Sequence, residues 1–150
     1  EYNKLYTDMA VTGSLDPIKP IYKKLIQATR DSLQKAIAAV QPGNTLGDIG
    51  YAIQHHAESN GFVVIENLGG HGVGHAVHED PFVFNFGQPG EGMPLQPGMV
   101  IAIEPMLTLK SKDIKEHQDG SFSTSDGQVA AHFEHTIAVV KGGSEVLTAG

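Results

Sequence analysis

An α+β fold, with helices and antiparallel strands in separate blocks, is the class this sequence predicts. Three observations support it. Apolar residues recur at helical spacing only within the first 60 positions. The later apolar runs are short and rich in Val, Ile and Phe, as strands are. Glycine-bearing turns separate these runs in the manner of hairpins, without the strand and helix alternation of a parallel βαβ sheet.

From the N-terminus, "LYTDMAVTG" (5–13) reads as a strand or hairpin arm. Between Pro17 and Val40, apolar side chains fall at Ile18, Ile21, Leu25, Ala28, Leu33, Ala36, Ile37 and Val40, mostly three or four apart. That spacing predicts an amphipathic helix, stopped by Pro42-Gly43. Thr45, followed three residues later by Asp48, has the form of a capping box for a second helix over Leu46 to Ser59, closed by Asn60-Gly61. "GFVVIEN" (61–67) reads as a buried strand, and "NFGQPGEGMPLQPGM" (85–99) as a loop. "MVIAIEPML" (99–107) is a strand with Val100, Ala102 and Glu104 on one face and Ile101 and Ile103 on the other. Residues 110–128 are polar, and Asp119-Gly120 with Asp126-Gly127 suggests a hairpin. "AHFEHTIAVV" (131–140) is a third strong strand, and "EVLT" (145–148) a short last one. The chain shows neither an internal repeat nor a dividing linker.

At 150 residues the chain can bury one sizeable core but not two complete domains, so residues 1–150 are expected to form one domain or part of one. The formal charge of -7, from 10 Lys+Arg against 17 Asp+Glu, gives no basic footprint for a phosphate backbone or an anionic membrane. Nucleic acid and membrane surfaces are therefore excluded as principal partners. With no cysteine there is no disulfide, thiolate ligand or cysteine nucleophile, which favours a cytoplasmic setting. No run reaches the ~18 apolar residues of a membrane span, and the first residues lack the features of a signal peptide. The chain opens on Glu1 and enters almost at once on a strand-like stretch, so further sequence is expected upstream.

Two glutamates sit where a strand has little reason to place them. Glu104 and Glu134 both lie among β-branched or aromatic residues, and neither has a basic neighbour on its strand. A buried carboxylate without a partner is costly, so it pairs with a cation, takes up a proton or binds a metal. Either acid alone could equally stand on the wet face of an antiparallel strand. The stretch "GGHGVGHAVHEDP" (69–81) changes the balance, because imidazole and carboxylate are the ligands of Zn, Mn, Co and Fe(II). His71, flanked by glycines, has the backbone freedom to approach a site closely. His78, seven residues on, can stand on another wall of the same pocket. Asp8, by itself an edge-strand or turn acid, becomes a fourth candidate ligand beside His71, Glu104 and Glu134. His55, His56, His75 and His117 read as structural or exposed. His132 and His135 bracket Glu134, and His135, on the opposite strand face, is expected to hydrogen bond to its neighbours. G-x-S-x-G, Walker A and H-E-x-x-H motifs are absent from the sequence.

"GGHGVGHAVHEDP", "PLQPGMVIAIEPM" and "HFEHTIAVV", in this order and at these separations, resemble the catalytic segments of the methionine aminopeptidases, metallopeptidases of the pita-bread fold. The similarity runs from Asp8 to Thr148. Proline-directed aminopeptidases share the glycine-histidine segment, but "IEPM" and "FEHT" match the methionine-specific branch better. The short interval between Glu104 and Glu134 leaves no room for the helical insert of the type II enzymes, so the type I branch is the better match.

The resemblance implies a curved antiparallel sheet covered by helices, of which this chain would hold the C-terminal portion as a partial catalytic metallopeptidase domain. It implies two divalent cations (Co, Mn, Fe(II) or Zn), with His71 and Glu104 on one and Asp8 and Glu134 bridging both. It gives Glu104 the proton passed between water and the leaving amine, and His78 a contact with the substrate peptide. The implied activity is removal of the N-terminal methionine from nascent polypeptides whose second residue is small, in the cytoplasm near the ribosome, by a monomer. Two other readings stay open: an Xaa-Pro aminopeptidase or prolidase-like enzyme, and a non-catalytic binding protein of the same fold. The family also has an aspartate and a substrate-binding histidine whose positions would precede Glu1. The 150-residue chain by itself is therefore expected to hold metal weakly, or as a single ion, without useful peptidase activity.

Overall fold

A computed structural model describes residues 1–149. Two helices, α1 (Pro20–Ala39) and α2 (Leu46–Ser59), pack on each other and cover antiparallel sheets. The strands are β1 (Val63–Val64), β2 (Gly69–Gly72), β3 (Glu79–Phe84), β4 (Val100–Ile103), β5 (Met106–Thr108), β6 (Ile114–Glu116), β7 (Phe122–Thr124), β8 (Ala130–His132), β9 (His135–Val140) and β10 (Gly143–Val146). A five-stranded sheet runs β10-β9-β4-β2-β3, a three-stranded one runs β1-β5-β8, and β6-β7 is the hairpin expected between residues 110 and 128. Every strand pairing is antiparallel, in agreement with the α+β class. Among the described residues, no helix is long and apolar enough to cross a membrane.

Both helices follow from their sequence signals. α1 begins at Pro20, three residues later than the apolar spacing suggests, because a proline keeps the residue before it out of the helical region; Lys19 is extended, with ψ 139°. Ile18 thus precedes the helix and Ile21 is exposed, while Leu25, Ala28, Leu33 and Ala36 form the buried stripe. At the start of α2, Asp48 Oδ2 accepts hydrogen bonds from the Thr45 backbone N–H and from its hydroxyl, both at 2.8 Å. Ile49, Ile53 and Ala57 of α2 meet Ile101, Ile103, Ile137 and Val139 of the sheet in one core.

The strand readings need more correction. "GFVVIEN" supplies only the two residues of β1, and β3 was not legible as a strand. "MVIAIEPML" and "AHFEHTIAVV" are each interrupted at their glutamate. Ile103 opposes His135 and Met106 opposes His132, so pairing resumes in the same register beyond a two-residue gap. On one side of the gap the pair β4–β9 belongs to the five-stranded sheet, and on the other the pair β5–β8 belongs to the three-stranded one. Pro105, which has no N–H to donate, lies in that gap. By this register Glu104 stands opposite Glu134, where the two sheets part.

"LYTDMAVTG" forms no strand of its own and docks at the same gap. Ala10 exchanges backbone hydrogen bonds with Glu134, its carbonyl accepting from the Glu134 N–H at 2.9 Å. On either side of that pair a threonine hydroxyl replaces the backbone ladder. Thr136 Oγ1 accepts from the Asp8 N–H and donates to the Asp8 carbonyl, both at 2.8 Å. Thr12 Oγ1 makes the same two bonds with the backbone of His132, again at 2.8 Å.

Candidate metal centre

His71 reaches the gap on β2, which runs between β3 and β4. The glycines around it serve close packing rather than conformational freedom, since Gly69, Gly70, Gly72 and Gly74 are not among the glycines with positive φ. A Cβ on Gly70 would collide with the carbonyl oxygen of Ala102, and one on Gly72 with that of Asp80. The neighbouring strands therefore close in from both sides and leave His71 buried between them.

The His71 ring is oriented by its own turn of chain. Its Nδ1 lies 2.9 Å from the Gly72 carbonyl, which can only accept, so Nδ1 carries the hydrogen and Nε2 presents a lone pair. That lone pair faces Glu104 Oε1 at 3.6 Å. Two acceptors face each other there with no hydrogen between them. Two ligands of one ion, each ~2.1 Å from it, can stand up to ~4.2 Å apart, so the spacing suits a shared cation. Donation of the other ring N–H to a carbonyl is also the usual arrangement of a metal-bound histidine. Glu104 is held in turn by Asn85, whose Nδ2 donates to the Glu104 carbonyl at 3.0 Å.

Glu134 makes the demand for positive charge explicit. It is buried, and its Oε1 has no hydrogen-bond partner. Burial first, then the charges of Glu104 and Asp8, push its carboxyl from an ordinary 4.5 up to about 7, with His132 opposing. Like charges directly opposite across two strands are destabilising. Among the described residues neither Glu104 nor Glu134 has a lysine or arginine partner; their only ion-pairing neighbours are His71 and His132. Removing charge from this cluster takes a proton or a metal ion.

One ligand atom from each of His71, Glu104 and Glu134 falls within 4.8 Å of the other two, and the same holds for Asp8, His71 and His78. All five residues singled out from the sequence are thus drawn to one place, with His71 common to both groups. His78 is exposed and meets His71 edge-on, ring centroids 4.3 Å apart. A cleft of about 830 Å³ opens beside them, lined by His71, His78, Glu79, Phe82, Glu104 and Met106 among others. The gathered donors, imidazole nitrogens and carboxylate oxygens, are of the kind that binds Zn, Mn, Co or Fe(II).

The remaining histidines stand apart, with one exception. His75 is exposed and touches the Lys4 carbonyl, His55 stacks on Tyr51, and His117 contacts Ser123 Oγ. His135 turns away to Thr148 Oγ1 at 2.8 Å, and burial lowers its pKa. His132 is the exception: its Nε2 lies 3.2 Å from Glu104 Oε2 and 3.9 Å from Glu134 Oε2. The sequence signal for it was its position two residues before Glu134, on the same strand face.

A sequence profile of metallopeptidase family M24 matches residues 1–141. A methionine aminopeptidase of Clostridium perfringens is 44% identical over 147 residues, covering 97% of this chain and 59% of that protein. The crystal structure of a methionine aminopeptidase from Thermotoga maritima superposes with a TM-score of 0.96 at 44% identity, covering 99% of this chain and 60% of that one. A prolidase from Pyrococcus horikoshii superposes with a TM-score of 0.77 at 25% identity, covering 99% of this chain and 37% of that one. The chain thus spans about three-fifths of the length of the methionine aminopeptidases it matches, and its fold is the pita-bread fold of these structures.

Proposed function

From its membership of metallopeptidase family M24, to which the chain belongs, we propose that residues 1–150 form a catalytic domain, or part of one, of a type I methionine aminopeptidase. The reaction is removal of the N-terminal methionine from nascent polypeptides whose second residue is small. The observation that carries this reading is the pair of acceptors, His71 Nε2 and Glu104 Oε1, facing each other at 3.6 Å in a chain 44% identical to a methionine aminopeptidase.

His71 and Glu104 would hold one divalent cation, and Asp8 and Glu134 would bridge it to a second, the ions being Mn, Co, Fe(II) or Zn. Such ions acidify water and polarise the scissile carbonyl. Glu104 takes a proton from the attacking water and passes it to the leaving amine. His78, exposed at the rim of the cleft, contacts the peptide on the side of the bond that breaks. Monomeric action in the cytoplasm, close to the ribosome, suits such a substrate.

The protein purified as its cell makes it, and loaded in turn with each cation, is to be assayed on Met-Ala-Ser and on Xaa-Pro peptides. Cleavage confined to Met-Ala-Ser is expected. Preference for Xaa-Pro would move the assignment to the prolidase-like branch, which the lower identity of 25% to a prolidase disfavours. Failure to bind any of the cations would make the protein a non-catalytic member of the fold.

A further inference from the structure

His132 stands against both glutamates of this site without being among the expected ligands. Its backbone is fixed by both hydrogen bonds to the Thr12 hydroxyl. The side chain is 36% exposed, yet Nε2 itself is enclosed and has no aligned hydrogen-bond partner. The groups facing Nε2 are carboxylate oxygens, Glu104 Oε2 at 3.2 Å and Glu134 Oε2 at 3.9 Å. Ionised carboxylate oxygens only accept, so opposite them the nitrogen is the one that carries hydrogen.

His71 is arranged the other way round, with its hydrogen on Nδ1 committed to the Gly72 carbonyl and its Nε2 lone pair turned inward. The Glu104 carboxylate lies between the two rings. Its Oε1 faces a lone pair at 3.6 Å, and its Oε2 faces an N–H at 3.2 Å. One oxygen is therefore suited to share a cation with His71, and the other to accept a hydrogen bond.

We propose that His132 is the positioning residue of Glu104: its Nε2–H donates to Oε2 and so turns Oε1 toward His71. The carboxylate then offers the cation a single oxygen in a fixed direction. Nε2 and Oε2 stand 3.2 Å apart without full alignment, as hydrogen bonds at sites of this kind often do before a ligand binds. This deepens the reading of the cluster as a metal site and rests on it. A contrary role, as a further metal ligand, requires a lone pair on Nε2.

The first test needs no metal. In the metal-free protein, histidine ¹H–¹⁵N correlation spectra are expected to show the neutral His132 ring protonated at Nε2, with a resonance that shifts in Glu104→Gln. An unprotonated Nε2, or no response to that substitution, overturns the proposal. The second test measures binding of Mn²⁺ alone by calorimetry. His132→Leu should weaken it by about 10- to 100-fold, the range for loss of a group that orients a ligand. His132→Gln, whose amide can donate from a similar reach, should recover most of that affinity. Equal loss in both variants, or none in either, counts against the proposal. The backbone bonds to Thr12 involve no His132 side chain, so both variants are expected to fold, and melting curves check this. Should the unaltered protein bind no Mn²⁺, the metal reading fails, and the spectra still decide the position of the hydrogen on His132.

Discussion

Burial, together with the charges of Glu104 and Asp8, makes the Glu134 carboxyl hold its proton more tightly than an exposed one. Its folded carboxyl titrates at about 7 against an ordinary 4.5. Between those values the folded state binds more protons than the unfolded one, so stability must fall as pH rises. Metal-free protein should melt progressively lower from about pH 5 to about pH 8, and Glu134→Gln should flatten that slope. An unchanged slope in the variant would mean that Glu134 is not the group responsible. A second prediction concerns His78, which is near enough to His71 to share an ion with it but lies exposed on the cleft. As a substrate contact, His78→Ala should keep cation affinity within about threefold while lowering turnover by 10²-fold or more, of the order expected of a lost catalytic hydrogen bond. Loss of cation binding in that variant, measured by calorimetry, would instead make His78 a ligand. At this scale the side chains that gather at the gap were legible because each is a charged or imidazole group in an apolar or glycine-rich setting. His132 was not, since its value depends on how far its ring reaches across a gap between sheets.

The gap itself is the central feature among the elements. Two strands that read as continuous each break at a glutamate, and the break places Glu104 and Glu134 opposite each other where neither sheet claims them. Alternation along a strand reports which face a residue occupies, but it cannot report that the strand leaves one sheet for another. The helices were far more legible, because a repeat of buried residues, a proline at the first turn and a capping box are local signals. The glycines of β2 were legible as important and misread as to why. Their lack of side chains, rather than any left-handed backbone, lets β3 and β4 close on His71. Gly70→Ala should therefore force β2 and β4 apart at the Ala102 carbonyl, with a loss of about 1–3 kcal/mol in urea unfolding. It should also weaken Mn²⁺ binding, because His71 is the next residue. A variant that keeps both stability and affinity would contradict this account of the glycines.

For the molecule as a whole, the order and spacing of three short motifs carry the family resemblance, because together they specify one site. The same resemblance implied a C-terminal portion of the fold, in agreement with a chain that spans about three-fifths of its relatives. The motifs could not reveal how the first residues are tied to the last strands. A ligand that binds only the folded chain raises its melting temperature by mass action. Mn²⁺ at about 100 times its dissociation constant should add ~2.7 kcal/mol, or roughly 5–11 °C for a chain of this size. Glu134→Ala should abolish that rise in thermal scans, and an undiminished rise would place the ion elsewhere.

The two threonine hydroxyls that hold the segment carrying Asp8 join residues 120 and 128 positions apart in the chain. Contacts of such long separation require most of the intervening chain to be ordered first, since loop closure costs entropy before the contact repays it. The helices and the β4–β9 pair can assemble without that segment, but Asp8 joins Glu134 only when the segment docks. The meeting of Asp8 with Glu134 is therefore expected among the last events of folding. Metal uptake should follow collapse of the core in time and report that folding is complete, rather than nucleate it.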